Sequence, residues 1–156
     1  MIAEMEIEEK LKAQFGAALA STATLPSLRT VGVWDVMNDG EVKSCGGNEA
    51  ATIAVAVGIR NYDTFQTPTA NFACSLALAV RRDACPTGAA IADLIEPLLA
   101  KIHGWNADED SVYDDLTTEH FFPAGFQLVG GPGPVYENAS GCWTISIDFN
   151  IKGRIG

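Results

Sequence analysis

The sequence predicts an α+β protein: a single domain over residues 1–156 with a mostly antiparallel sheet and two helices on one face of it. Two segments carry apolar side chains at the spacing typical of helices. Others alternate large apolar residues with small or polar ones, as half-buried strands do. Strand segments that are adjacent in sequence are mostly joined by turns, which favours antiparallel pairing. The length of 156 residues fits one domain.

The first predicted helix covers residues 4–20. Apolar residues recur there at every fourth position and form one stripe that can pack on a sheet. The stripe consists of Ile7, Leu11, Phe15 and Leu19. We expect the charged side chains of this segment to point away from the stripe. They are Glu8, Glu9, Lys10 and Lys12.

Four segments then predict strands. Residues 30–36 and 41–45 flank Asn38-Asp39-Gly40, a strong hairpin turn because Asn and Gly accept a positive φ at low cost. Residues 52–60 and 71–82 alternate large and small side chains and predict a long antiparallel hairpin. On the first of these two strands one face would carry the large residues. They are Ile53, Val55, Val57 and Ile59. The loop at residues 61–69 carries Tyr62 and Phe65.

The second predicted helix runs to His103, with Thr87 as its N-cap and Gly104 as its stop. An acidic, solvated connection follows at residues 106–118, with one helical turn at residues 112–116. Residues 126–129 predict a short strand. Residues 143–152 alternate most regularly and predict the strongest strand, with one face in the core.

The charge balance argues against nucleic-acid binding through phosphates. The chain has 10 Lys and Arg against 20 Asp and Glu, a net charge of −10, whereas phosphate binding needs a basic face. No Lys or Arg occurs between Lys101 and Lys152.

The N-terminal segment and the cysteines favour a soluble protein made in a cytoplasm. The first twelve residues hold four glutamates and no long apolar run, so we expect neither a signal peptide nor a membrane span. The four cysteines are widely spaced, and without a secretion signal we expect buried free thiols and no disulfide framework. Two of them lie in predicted strands. They are Cys74 and Cys142.

The sequence contains no motif that names a reaction, so we assign no catalytic, cofactor-binding or metal-binding residue. The glycine-rich turn at residues 130–134 lacks the lysine and the following helix of a phosphate loop. His103 and His120 do not stand at a known catalytic spacing from Ser, Cys or Asp, and we interpret His103 as structural at a helix end.

The element order and the C-terminal third resemble the tail terminator proteins of long-tailed bacteriophages. The resemblance rests on the N-terminal helix, the long hairpin, the helix that follows it at once, and the segment FFPAGFQLVGGPGPVYENASGCWTISIDFNIKG at residues 121–153. It covers nearly the whole chain.

The resemblance implies a structural virion protein in the tail or neck, assembled in the host cytoplasm, with no catalytic activity. Six subunits would form a ring that caps the tail tube and contacts the head-tail connector or stopper protein. DNA would pass through the lumen without sequence-specific binding, and an acidic chain would repel its phosphates.

The interface residues that we expect are aromatic or lie in the loop at residues 61–69. They are Tyr62, Phe65, Trp105, Phe121 and Phe122. Three alternatives stay open: another neck or stopper subunit, a small cytoplasmic ligand-binding or enzymatic domain, and a monomeric cytoplasmic protein. In the enzymatic or ligand-binding alternative, Trp105, Phe121 and Phe122 line a pocket.

Overall fold

The computed structural model describes seven stretches of the chain: residues 2–20, 28–32, 51–62, 69–83, 87–130, 135–137 and 141–156. They form three helices and a seven-stranded sheet, which confirms the predicted α+β class. The predicted turn at residues 38–40, the returning strand at residues 41–45 and Phe65 lie outside the described residues.

The helices begin and end for identifiable reasons. Helix α1 (Ile2–Ala20) buries the whole predicted stripe against the sheet. Helix α2 (Gly88–Ala107) begins at Thr87, whose side-chain oxygen accepts a hydrogen bond from the Ala90 N–H at 3.2 Å, as predicted. It does not stop at Gly104 but continues for one more turn. Helix α3 (Glu109–Leu116) then starts at Asp108, whose carboxylate accepts from the Asp110 N–H.

The sheet has the strand order β1-β2-β4-β7-β5. Its strands are β1 (Leu28–Gly32), β2 (Ala51–Val57), β3 (Asn61–Tyr62), β4 (Ala70–Arg81), β5 (Phe121–Gly130), β6 (Val135–Glu137) and β7 (Cys142–Ile155). Short β3 pairs with β4, and short β6 pairs with β7. The long predicted hairpin is confirmed as the antiparallel pair of β2 and β4.

Three predictions about the strands need correction. Strand β1 pairs with β2 in parallel. Two parallel strands cannot be joined by a tight turn, so this pair is not a hairpin. Ile59 lies beyond the end of β2 and is 65% exposed, so it is not part of the buried face. Strand β5 starts at Phe121, five residues before the predicted strand, because its first residues pair with the C-terminal end of β7.

The core lies between the three helices and one face of the sheet. On β4 the side chains of Phe72, Leu76 and Leu78 are buried, while Ala73 and Ala77 on the opposite face are exposed. Four aromatic rings connect α1, α2, β5 and β7 in a closed circuit with centroid distances of 5.0 to 6.4 Å. They are Phe15, Trp105, Phe126 and Phe149. Helices and sheet therefore meet at one aromatic centre.

The described cysteines differ from each other. Cys74 is a buried free thiol, as predicted, and burial raises its pKa. Cys142 is buried and disulfide-bonded, so the prediction of a free thiol is wrong for this residue. Its partner lies outside the described residues. The sequence argument failed because wide spacing along the chain does not prevent two cysteines from meeting in the fold.

No helix in the described part of the chain is both long and apolar enough to cross a membrane.

Candidate assembly surface

The structure separates the predicted interface residues into exposed and buried ones. Tyr62 lies on β3 and is 50% exposed. Trp105 and Phe121 are almost wholly buried within the protomer, and in this conformation neither presents a surface to a neighbour. Phe122 is half-buried, with the Arg154 guanidinium 5.4 Å from its ring centroid.

Trp105 is part of the core that joins α1, α2 and α3. Its ring packs 5.6 Å from Phe15, and its Nε1–H donates a 2.8 Å hydrogen bond to Asp115 on α3. A signal for this role is present in the sequence: Leu98, Ile102 and Trp105 continue one helical stripe. The predicted helix end at Gly104 left Trp105 out of this stripe.

Phe121 belongs to the core for a similar reason. Its ring meets Phe72 edge-on at a centroid distance of 5.2 Å. Strands β5 and β7 approach each other closely at this point, because a Cβ on Gly153 would overlap Phe121 and the carbonyl oxygen of Phe122. Glycine at position 153 is therefore what allows β5 and β7 to pack around this ring.

Four of the large exposed apolar side chains among the described residues lie on two elements that a contact between Glu4 and Arg60 joins. They are Ile2 (60% exposed) and Met5 (45%) on α1, and Ile59 (65%) and Tyr62 (50%) at the β2–β3 junction. We call these four residues the assembly surface. Scattered apolar residues are normal on a protein surface, whereas a group on adjoining elements is typical of a contact region.

A buried ion pair fixes the two elements of the assembly surface to each other. Glu4 on α1 is completely buried, and its carboxylate accepts from Arg60 at three points: Nη2 at 2.6 Å, Nε at 3.1 Å and the backbone N–H at 3.2 Å. This is a two-pronged guanidinium–carboxylate contact, the geometry in which arginine binds most strongly. The apolar residues on either side of it are therefore presented on a rigid corner.

The ionisation of this pair follows from the same contacts. Burial alone would raise the pKa of Glu4, but the hydrogen bonds and charge of Arg60 outweigh burial and lower the pKa to about 2. Hydrogen bonding to Glu4, and additionally to Tyr62, raises the pKa of Arg60. Both groups are charged at neutral pH.

Glu8 corrects the expectation that the charged residues of α1 all point away from its buried stripe. It is only 1% exposed, and its carboxylate lies so close to β1 that a Cβ on Gly32 would overlap it. Its charge also contributes to the raised pKa of the Cys74 thiol, after burial itself. The four-residue spacing from Glu4 to Glu8 places both carboxylates on one side of α1, beside the sheet edge.

The outer edge of β5 is closed to further strand pairing at several positions. Pro123 has no N–H to offer, and the register shifts at residues 123–125 and 128–130 interrupt the ladder. The Leu128 N–H already donates to Asn106 Oδ1 at 3.0 Å. Pro123, the bulges in the β5–β7 ladder and this hydrogen bond therefore disfavour in-register addition of another strand along β5.

The acidic segment after α2 forms helix α3, which is longer than the single helical turn predicted at residues 112–116. Exposed Glu109 and Asp110 begin α3 at its positive end, which favours negative charge. Val112 and Leu116 are buried, and Asp115 accepts from Lys101 and Trp105. The acidic residues therefore have a structural reason to be present.

Comparison with known proteins adds no relative: no protein-family model matches this sequence, and a search of the curated proteins finds no significant match.

Proposed function

We propose that this chain is a structural subunit that assembles with copies of itself into a ring, acting as a tail terminator that caps a phage tail tube and joins it to the head connector. The observation that supports assembly is the rigid corner at the N-terminus of α1. Four exposed apolar residues there flank a buried ion pair, which positions them without the entropy cost of ordering a loop on binding. The tail-terminator assignment rests on the resemblance at residues 121–153 together with the α+β fold.

The neighbouring copy is the partner that this surface fits best. A ring is built from heterologous contacts, in which one surface of a subunit meets a different surface of the next, and an exposed apolar corner on every copy provides one half of such a contact. Tyrosine and the two isoleucines are large enough to exclude water at its centre.

Assembly is tested by light scattering coupled to size-exclusion chromatography. We expect the wild-type chain to elute near six times the 16.5 kDa protomer mass. The double variant Ile59→Ser, Tyr62→Ser should elute at the protomer mass, with an unchanged circular dichroism spectrum. Tyr113→Ser is the matched control, because Tyr113 is 48% exposed on α3, away from the corner, and its loss should leave the ring intact.

Capping is tested separately, by adding the purified chain to polymerising tail tube protein and measuring tube lengths by electron microscopy. Shortened tubes with the chain at one end support the proposal. A ring that leaves the length distribution unchanged supports assembly but refutes the terminator function. A chain that stays monomeric at every concentration, with and without tubes, refutes both.

A further inference from the structure

Three metal-ligating side chains from two distant parts of the sequence meet beside α1. Glu6 lies on α1, and Glu119 and His120 lie in the connection between α3 and β5. One donor atom from each residue falls within 4.8 Å of the others. The sequence separation of 114 residues between Glu6 and His120 means that only the fold brings them together.

Backbone hydrogen bonds hold two of these ligands in place. The His120 N–H donates to Glu6 Oε1 at 3.0 Å, and the other carboxylate oxygen, Oε2, lies 2.7 Å from His120 Nδ1. The His120 carbonyl in turn accepts from the Gly156 N–H at 3.0 Å. Such outer hydrogen bonds orient the ligands of metal sites before the metal arrives.

A groove beside these ligands gives an ion and its water access to them. The Thr118 hydroxyl oxygen lies within hydrogen-bonding reach of the Glu6 carboxylate. Thr118, Glu6 and Glu119 line a groove of about 690 Å³ between α1 and the α3–β5 connection, together with Met5, Glu9 and Lys10. The groove therefore leaves room for water at the ligands that face it.

We propose that Glu6, Glu119 and His120 bind one divalent transition-metal ion of the zinc class. One imidazole nitrogen and two carboxylate oxygens are a ligand set that zinc accepts, at distances of about 2.0–2.2 Å, with water completing the tetrahedron. That water would lie in the groove, within reach of a hydroxyl such as that of Thr118. The exposed Glu119 side chain can rotate inward to close the site. The ion would link α1 to the start of β5.

Substitution of Glu119 distinguishes a metal site from a simple ion pair between Glu6 and His120. Glu6 and His120 contact each other directly, so substituting either one disturbs the fold as well as any site. Glu119 is exposed and is not part of that direct contact. Glu119→Gln therefore removes a ligand while leaving the contact between α1 and His120 intact.

The experiment is calorimetric titration of the full chain with Zn²⁺ alone, repeated with Co²⁺ while the visible spectrum is recorded. We expect one ion per protomer, and Co²⁺ bands without the thiolate charge-transfer absorption that cysteine ligation produces. Glu119→Gln and His120→Gln should each weaken binding by about tenfold or more. His103→Gln is the matched control, because His103 is exposed on α2 and should not affect binding.

The melting temperature provides a second readout. Saturating Zn²⁺ should raise it in the wild type and in His103→Gln but not in Glu119→Gln, because an ion that binds only the folded state stabilises that state. Absence of Zn²⁺ binding, thiolate absorption, or equal weakening by Glu119→Gln and His103→Gln would each overturn the proposal. None of these outcomes bears on ring assembly, which is measured independently.

Discussion

Replacing Arg60 by methionine tests the ion pair that fixes the assembly surface. The variant keeps an unbranched side chain of similar length but leaves the buried Glu4 carboxylate without its guanidinium. Burying a charge that has lost its partner is among the most destabilising single changes in a folded protein. The fold should survive, because the aromatic centre of the core is not touched.

The expected loss can be estimated in two ways. The pKa of Glu4 falls from 4.5 to about 2, and at about 1.4 kcal/mol per unit this corresponds to about 3 kcal/mol of stability at neutral pH. Removing one partner of a buried pair typically costs about 3–5 kcal/mol. Both values predict a midpoint of urea unfolding clearly below that of the wild type.

The pH dependence gives the sharper test. Because the pKa of Glu4 is lowered in the folded state, its contribution is fully present above pH 4.5 and is lost as the pH falls towards 2. In Arg60→Met the hydrogen bonds and the charge of the guanidinium are lost, while the backbone N–H groups of residues 4 and 60 still lower that pKa. The pKa of Glu4 is therefore higher in the variant than in the wild type, and acidification costs the variant less stability. The difference between the two proteins should therefore stay nearly constant around neutral pH and shrink as the pH falls from about 5 towards 2, while the other carboxylates cancel in the comparison.

The assay is urea unfolding followed by tryptophan fluorescence at a series of pH values. Arg154→Met is the control, since that guanidinium lies over an exposed part of Phe122 and its loss should cost about 1 kcal/mol or less. Adding Glu4→Gln to Arg60→Met should recover much of the loss. A difference of under about 1 kcal/mol at pH 7, or one that does not change with pH, would refute the reasoning.

Three further substitutions test the packing, each by thermal or chemical denaturation. Phe15→Ala removes two contacts of the aromatic circuit and should cost about 3–5 kcal/mol; a loss below 2 kcal/mol would mean that the circuit is not a core. Gly153→Ala places a Cβ against the Phe122 carbonyl and should cost about 1–3 kcal/mol, whereas Gly104→Ala, at an open helical position, should be neutral or stabilising. Thr87→Ala removes the N-cap of α2 and should cost about 1 kcal/mol, while Thr87→Asn should preserve it.

The sequence predicts the long regular elements well because each has one buried face. The spacing of apolar residues predicts the stripe of α1 and the alternation in β4 and β7, and the structure buries these faces as expected. Local chemistry also identifies the N-cap at Thr87, since the hydroxyl and the amide that it accepts from are three residues apart.

What the sequence does not predict depends on contacts between distant segments. The parallel partner of β1, the first half of β5 and the buried position of Glu8 all follow from neighbours that periodicity cannot identify. The same holds for the proposed metal site, in which Glu6 is separated from Glu119 and His120 by more than a hundred positions. For Trp105 the reason is local: the sequence predicts a helix end at Gly104, whereas the helix continues through Trp105 to Ala107.

The position of β7 has a consequence for how the protein is made. It is the last described element along the chain, yet it lies inside the sheet, between β4 and β5. Until β7 has been synthesised and has left the ribosome, β4 lacks its neighbour on that side, and the rings that Phe149 later contacts remain uncovered. Completed synthesis of β7 is therefore required before the sheet closes, and chaperones that shield apolar surface during translation should increase the yield of folded protein.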